Sequence, residues 1–233
     1  MPPPFATSIQ DTGTELIGPL RVPRQMLAAQ KYDDHTSIHD NATAQKFGFK
    51  GGTIEGPTHF SQFAPLCVAL WGPGWLAQGS LSAHYRNACF EGDKVRALVT
   101  KPKDDATHTT IRMEREDGTE ILRGTAAIGG SNPPSALELR ISELSQPETL
   151  VILRDVRVGM RTKRIAVRMD AEQNMGALYP FSLAQKLQAI TEPSPWYTAA
   201  GATSSPWKAA IIPVEMVSVL LNYSSDAASF PVR

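Results

Sequence analysis

The sequence predicts an α+β fold in which an antiparallel sheet wraps around one central helix. The helix is predicted over "THFSQFAPLCVALWG" (58–72), which is apolar on almost every side, as expected of a helix buried on most of its surface. Four segments of strand character follow it, at 80–90, 94–103, 107–116 and 119–130. An apolar helix followed by such a meander favours a sheet that packs on that helix.

The last two strand segments carry a turn signal of their own. "THTTIRMERE" and "TEILRGTAAIGG" alternate between polar and apolar residues, and Asp117-Gly118 separates them. An Asp-Gly pair between two alternating segments is a strong signal for a β-hairpin. We therefore expect the third and fourth of these strands to pair with each other in antiparallel orientation.

The elements before the central helix are shorter. Residues 15–32 combine strand character with a short helix, which we predict over "RQMLAAQKY" (24–32). "NATAQKFGF" predicts a second short helix, and Asp40 directly precedes it as the better candidate for its N-cap. A Gly-rich turn then leads to Pro57, which suits the first turn of the central helix.

The chain divides by composition into three parts. Residues 1–130 hold the predicted helix and meander, residues 131–150 have the composition of a linker, and residues 151–233 predict a partial second copy. "WKAAIIPVEMVSVLL" (207–221) follows the pattern of "FKGGTIEGPTHFSQF" (49–63) at a shift of 158 positions. The second copy is predicted to be degenerate and incomplete, because little sequence remains for its strands.

Composition argues against several classes of function. The 233 residues include 23 Lys plus Arg and 23 Asp plus Glu, so the charge gives no reason to expect a nucleic-acid or anionic-membrane surface. The two cysteines have no metal-ligand spacing, so neither a disulfide scaffold nor a metal site is expected, and no cofactor is predicted. The N-terminus lacks the features of a secretory signal, and the apolar runs are too short to span a bilayer. We expect a cytoplasmic protein.

One polar run, "YDDHTSIHDN" (32–41), concentrates two imidazoles and three carboxylates directly before the second short helix. Within it, four residues separate Asp34 from His39. At the shift of 158 positions Asp34 falls on Glu192 and His39 falls on Tyr197, so the second copy lacks the pair. The pair therefore marks the first copy as the candidate site.

This order of segments resembles the MaoC-like dehydratases, also called the R-specific enoyl-CoA hydratase or hydratase-2 family, which have the hotdog fold. Asp34, Ile38 and His39 match the Asp, aliphatic and His positions of the family motif. "FGF" and "TIEG" follow at familiar distances, and "HYRNACFEGDKV" looks like the strand-turn-strand of the family with its Gly-Asp turn. The resemblance covers about residues 15–130, and it implies a double hotdog whose second copy has decayed.

The resemblance implies a carbon-oxygen lyase that adds or removes water across the 2,3 double bond of an enoyl thioester, either acyl-CoA or a related carrier. His39 would be the main base and Asp34 its partner on the reacting water. The amide of Gly56 would hold the thioester oxygen as it gains charge, because the start of a helix presents unpaired N–H groups. Ser37 and Glu55 would lie beside the substrate. The resemblance also implies a homodimer or a larger homo-oligomer.

The motif departs from the family pattern at three places. Thr36-Ser37 replaces Asn-Pro, and Asp33 replaces a glycine. Glu55 replaces the histidine before the turn glycine, where a carboxylate would oppose a developing oxyanion unless it is protonated or turned away. Glu55 therefore indicates either a changed substrate or a turn carboxylate that faces solvent.

The other site residues also have structural alternatives. Asp34 could cap a helix or hold a turn, and His39 could be a buried, hydrogen-bonded histidine with no part in catalysis. Gly56 could serve only the turn before the central helix. His59, on the central helix, is more often a core histidine than a catalytic group.

Two alternative functions remain open. The chain could be a catalytically inactive hotdog module that binds acyl thioesters, or one subunit of a heteromeric hydratase in which another chain supplies the missing strands. A hotdog thioesterase is disfavoured, because those enzymes place a carboxylate on the central helix and the segment 58–72 contains none.

Overall fold

The computed structural model describes residues 3–27, 29–31, 37–130, 132–145, 159–161, 170–217 and 219. In this part of the chain the strands are β1 (Gln10–Asp11), β2 (Glu15–Ile17), β3 (Gly79–Tyr85), β4 (Val95–Thr100), β5 (His108–Arg115) and β6 (Glu120–Ile128). The helices are α1 (Asn41–Lys46), α2 (Gly56–Phe60), α3 (Ala64–Trp71), α4 (Trp75–Gln78), α5 (Ala136–Ser142) and α6 (Leu183–Ala189). Short 3-10 helices lie at Ser61–Phe63, Pro195–Tyr197, Ala202–Ser204 and Val214–Met216.

The strands form one antiparallel sheet in the order β1-β2-β4-β5-β6-β3, which confirms the α+β class. Strands β5 and β6 pair across the turn at Asp117-Gly118, as predicted. Gly118 has a φ of 84°, a left-handed conformation that glycine adopts without steric cost. Strand β2 pairs with β4, which confirms the strand character of the N-terminal segment.

The predicted central helix is an almost continuous helical segment made of α2, a 3-10 turn and α3. The 3-10 turn ends two residues before Pro65, which has no N–H for an i to i−4 hydrogen bond. Phe63, Leu66 and Cys67 are fully buried, and they belong to one core cluster with Val99 of β4 and other inward-facing strand residues. The sheet therefore packs on the central segment, as the apolar pattern predicts.

Helix α1 begins where the sequence predicts. The side chain of Asp40 accepts a hydrogen bond from the amide of Thr43 at 2.7 Å, and its backbone is extended, as N-cap residues require. The same bond lowers the pKa of Asp40, because the backbone N–H favours the charged carboxylate.

The short helix predicted over residues 24–32 is wrong for the described part of that range. Residues 24–27 have no helical structure, and Met26 has a φ of 64°. The side chain of Gln25 turns inward and forms buried hydrogen bonds with the Gly-rich turn. Tertiary hydrogen bonds therefore override the local helical propensity, which contributes little free energy per residue.

The predicted linker contains helix α5, which that prediction did not include. Ser135 and Glu138 form a capping box, in which each side chain bonds the backbone amide of the other residue. The helix lies on the outer face of the sheet against β3 and β6, and the amide of Ala136 donates to Thr125 Oγ1 at 3.1 Å. A strong local cap thus starts a helix inside a segment whose composition is typical of a loop.

The C-terminal part of the described chain packs against the first unit. Ile190 and Tyr197 join the main core, and a smaller cluster combines Leu27 with Met216 and its neighbours. The described residues between 170 and 217 form no strand of the sheet, and most of residues 151–169, with which the predicted second copy begins, lie outside the described residues. The double hotdog fold and the division of the chain into three parts therefore stay predictions.

The residues that the repeat alignment matches to Asp34 and His39 are both buried. Glu192 accepts two hydrogen bonds from Arg21, at 2.7 and 3.1 Å, and one from Thr7 at 2.6 Å. Tyr197 packs edge-on against Phe5. These contacts join the C-terminal part to the first residues of the chain.

Gly124 of β6 allows β3 and β6 to approach closely. A Cβ at Gly124 would overlap the carbonyl oxygen of Ser82 in the paired strand, and neither backbone can move without breaking the ladder. We expect Gly124→Ala to lower the free energy of unfolding by about 1–3 kcal/mol, as overpacking does elsewhere. Urea denaturation measures the loss. Gly130→Ala is the matched control, because a Cβ there meets nothing within 4 Å, and equal stability of the two variants would contradict the prediction.

No helix among the described residues has the length and apolar character needed to cross a membrane.

Candidate functional site

The candidate site forms where the turn before α1 meets the Gly-rich turn before α2. The amide of Thr53 donates to the carbonyl of Ile38 at 2.9 Å, and the amide of Gly52 donates to Asn41 Oδ1 at 2.7 Å. A Cβ at Gly52 would overlap the carbonyl oxygen of His39, so the close approach requires a glycine. The glycines of "KGGTIEG" thus bring the second turn against the polar run.

His39 lies in this junction with one ring nitrogen fixed. Its Nδ1 is 2.7 Å from the carbonyl oxygen of Thr53 and 3.2 Å from Thr53 Oγ1. A carbonyl oxygen can only accept, so we assign the proton to Nδ1 from this hydrogen bond. The neutral ring then has its lone pair on Nε2, which is the form that a general base needs.

The imidazole borders a cavity of about 370 Å³. The walls of the cavity include Gln25 and Leu27 from the segment before the polar run, Gly52 from the Gly-rich turn, and Glu91. His39 itself is half-buried, so its ring is reachable from this space. The cavity is thus large enough for the reacting part of a small ligand beside the imidazole.

Gln25 is a site residue that the sequence reasoning missed. Its Nε2 donates to the carbonyl of Thr53 at 2.9 Å, and its Oε1 accepts from the amide of Glu55. The carbonyl of Thr53 therefore receives both the Gln25 amide and His39 Nδ1. The buried Gln25 fixes the turn that orients the imidazole, and no local pattern in the sequence could have indicated it.

Glu55 directly precedes α2 and is half-buried, so it does not simply face solvent. Its carboxyl group makes no capping hydrogen bond to the helix. Burial raises the pKa of Glu55, and the charge of Lys186, together with that of His39 when its ring is protonated, opposes that rise only in part. Burial thus shifts this carboxyl group toward its protonated form.

Gly56 begins α2 and packs under the ring of Tyr85. A Cβ on Gly56 would lie 2.6 Å from Tyr85 Cζ, so a larger residue here would have to displace the Tyr85 ring. Among the described residues the amide of Gly56 has no hydrogen-bond acceptor. The hydroxyl of Tyr85, which the sequence analysis did not single out, lies next to it, and burial raises its pKa.

Of the two remaining predicted site residues, Ser37 lies within the described part of the chain and Asp34 does not. Ser37 Oγ accepts from the amide of His39 at 3.2 Å, and the carbonyl of Ser37 accepts from the amide of Asp40 at 3.1 Å. Ser37 therefore shapes the turn that carries His39. Asp34 lies outside the described residues, so its pairing with His39 stays a prediction.

A buried ion pair lies behind the site. Lys186 Nζ is 3.3 Å from Glu215 Oε1, and it also donates to the carbonyl of Arg24 at 2.7 Å. Ser61 Oγ donates to the other carboxylate oxygen of Glu215 at 2.9 Å. Both charged side chains are almost fully inaccessible to solvent. The C-terminal part thus contributes a cation directly behind the backbone that positions Gln25.

His59 lies in the core, as predicted, but its environment is unusual. Its ring is buried, and Nδ1 has no hydrogen-bond partner among the described residues. Burial lowers the pKa of His59 to about 4, so the ring is neutral at physiological pH. The ring centroids of His59 and Tyr85 are 6.4 Å apart. Tyr85 is therefore a neighbour of both the core histidine and Gly56.

Within the described ranges, no group of three His, Cys, Asp or Glu side chains is arranged to hold a metal ion.

Comparisons with known proteins give a limited likeness. No protein-family model matches the chain, and no curated protein sequence matches it. The chain is similar in structure to the (R)-hydratase from A. caviae involved in PHA biosynthesis, with 24% identity and a TM-score of 0.33 over 42% of this chain and 78% of that one. It is also similar to the R-hydratase PhaJ1 from Pseudomonas aeruginosa, with 19% identity and a TM-score of 0.31 over 43% of this chain and 74% of that one. Both TM-scores are below 0.5, so the functional argument rests on the geometry of the site.

Proposed function

We propose that the chain is a hydratase or dehydratase that acts on the 2,3 double bond of an enoyl thioester, carried by CoA or a related group. The observation that carries the proposal is the hydrogen bond between His39 Nδ1 and the Thr53 carbonyl, which leaves Nε2 as the acceptor nitrogen of a ring that lines a cavity, with no partner among the described residues. A base in that state can take a proton from water as the oxygen attacks C3. The antiparallel sheet packed on one helical segment supports a hotdog domain.

The second requirement is a donor for the thioester oxygen, which gains negative charge as water adds. The Gly56 amide is available at the start of α2, and Glu55 lies directly before it. Burial favours the neutral carboxyl form of Glu55, which can donate a hydrogen bond where a carboxylate would repel the oxyanion. The proposal therefore assigns Glu55 and Gly56 as paired donors to the thioester oxygen.

The third requirement is proton delivery to C2. We assign Asp34 to the reacting water together with His39, so that these two groups remove one proton and return another. Reaction in either direction uses the same transition state, and the proposal covers hydration and dehydration alike. A homodimer in solution belongs to the proposal as well, with an acyl-CoA or carrier-bound thioester as its substrate.

The assignment of Glu55 predicts a specific pH dependence. A carboxylate at this position cannot donate, so turnover is expected to fall as the pH rises through the pKa of Glu55, which lies above the ordinary range of a glutamate. Glu55→Gln keeps a donor and removes the titration, so this variant should keep its activity over the same alkaline limb. Steady-state kcat/KM measured against pH checks this.

The exposed Glu116 supplies the matched control, because Glu116→Gln should leave the alkaline limb of the wild type in place. An identical alkaline limb in Glu55→Gln would contradict the role of Glu55 and leave the role of His39 standing.

The proposed function itself is tested by absorbance in the enoyl-thioester band after the protein is mixed with crotonyl-CoA and then with longer and branched enoyl-CoAs. Loss of the band that requires His39 supports a hydratase. Binding of the same thioesters without any loss of the band would favour the inactive acyl-thioester module instead. If no thioester of the panel is bound or turned over, both the hydratase and the inactive binding module are overturned.

A further inference from the structure

A second cavity, of about 560 Å³, lies between helix α5 and the outer face of the sheet, and no residue of the Gly-rich turn lines it. We call it the α5 groove, and its walls include His84 of β3, Arg112 of β5, Arg123 of β6, and Leu139 and Arg140 of α5. The candidate site uses none of these residues. The groove therefore needs its own explanation.

Three basic side chains stand side by side on the floor of the α5 groove. His84 pairs with Arg123 across β3 and β6, and Arg123 pairs with Arg112 across β6 and β5. Like charges directly opposite each other destabilise a sheet, so such a row needs compensation. Glu120 binds Arg123 through two hydrogen bonds, at 2.7 and 2.9 Å, and Arg112 forms an ion pair with Glu15.

Helix α5 adds a fourth basic group without a carboxylate to match it. Arg140 Nη1 lies 3.4 Å from His84 Nδ1. Among the described residues no carboxylate is within ion-pair distance of Arg140, and the same holds for Arg86, which follows β3. The entrance of the groove thus keeps an excess of positive charge after its internal ion pairs are counted.

The pKa of His84 responds to this excess of positive charge. Its pKa lies below the ordinary value, first because of partial burial and then because of the positive charges of Arg140, Arg86 and Arg123, while Glu120 acts in the opposite direction. An anion bound between these groups would reverse the balance. The pKa of His84 is therefore a direct reporter of occupancy.

The helix side of the α5 groove is apolar, because Leu139 and Ala136 line it there. The sheet side adds threonines to the charged groups, and Ile111 beneath it belongs to the core on the opposite face of the sheet. Leu139 lines the groove although 53% of its surface remains exposed. This side chain can gain stability when an apolar group covers it.

We propose that the α5 groove binds an amphipathic organic anion, with its carboxylate or phosphate between Arg140, Arg123 and His84 and its aliphatic part along Leu139 and Ala136. Arginine suits both head groups, because its planar guanidinium donates two parallel hydrogen bonds to either one. The neutral formal charge of the chain and the short row of cations argue against a polyanion as the occupant.

Calorimetric titration of the full chain tests the proposal with four probes. Octanoate and octyl phosphate carry a head group and a tail, inorganic phosphate carries the charge alone, and octanol carries the tail alone. We expect octanoate, octyl phosphate or both to bind, and each to bind at least tenfold more tightly than the two partial probes. The difference between the two octyl anions then identifies the preferred head group.

Variants test the charged and the apolar parts of the α5 groove separately. Arg140→Gln is expected to weaken binding of the octyl anions at least tenfold, and Leu139→Gln is expected to weaken it by removing apolar contact. Lys94→Gln is the matched control, because Lys94 forms an exposed ion pair with Glu116 elsewhere on the surface. In the wild type, an NMR titration of the His84 ring should show its pKa rise when octanoate or octyl phosphate is bound.

The proposal is overturned by any of three binding results. These are no binding of either octyl anion, unchanged binding in Arg140→Gln, or binding of octanol as tight as that of the octyl anions. An unchanged pKa of His84 at saturation would place the anion elsewhere and would also overturn it.

Discussion

Replacing His39 by glutamine is expected to lower turnover of an enoyl thioester roughly 100- to 10,000-fold, the range that one general acid–base group contributes. Glutamine can still donate a hydrogen bond to the carbonyl of Thr53, so the turn should keep its shape. It has no basic nitrogen to take a proton from water. The expected result is therefore a loss of kcat with little change in the free energy of unfolding.

The control for this variant is His108→Gln, because His108 is exposed at the start of β5 and lies away from the cavity. Turnover in this variant should equal that of the wild type. Stopped-flow absorbance of the enoyl-thioester band gives kcat, and equilibrium binding of a saturated acyl-CoA gives affinity. If His39→Gln turned over substrate at the wild-type rate, His39 would not be the base.

The second large effect concerns stability. Lys186→Met removes the cation from a buried pair and leaves Glu215 with Ser61 as its polar partner. Breaking a buried ion pair from one side costs about 3–5 kcal/mol, because the remaining charge is buried without compensation. We expect a loss of this size in the free energy of unfolding, measured by chemical denaturation.

A second substitution distinguishes the lost charge partner from lost packing. Lys186→Met combined with Glu215→Gln leaves no charge in the pair, and the glutamine carbonyl can still accept from Ser61, so most of the stability should return. Lys94→Met is the exposed control and should cost at most about 1 kcal/mol. A Lys186→Met protein within that same margin of the wild type would show that the pair contributes little.

The Lys186 cation also links stability to the proposed chemistry. Burial raises the pKa of Glu55, and the charge of Lys186 lowers it in part. Lys186→Met should therefore raise the pKa of Glu55 further and extend the proposed activity toward higher pH. The pH profile of this variant gives a readout that a purely structural role of Lys186 would not change.

Local patterns were sufficient for much of the first unit. The apolar segment at 58–72, the hairpin at Asp117-Gly118 and the N-cap at Asp40 were all predicted and confirmed. Each depends on residues that are neighbours in sequence, through periodicity, turn chemistry or a cap. The short helix predicted over 24–32 was wrong in its described residues, because contacts made by Gln25 with a distant turn outweigh local preference.

In the candidate site, too, some features follow from the sequence and others only from the tertiary structure. The sequence by itself determined the position of His39 before a capped helix and of Glu55 and Gly56 before the central one. Only the tertiary structure decided which nitrogen of His39 bonds the Thr53 carbonyl, that burial raises the pKa of Glu55, and that the charge of Lys186 opposes this rise. These features depend on contacts between residues far apart in the chain, and such contacts leave no periodic pattern in the sequence that could predict them.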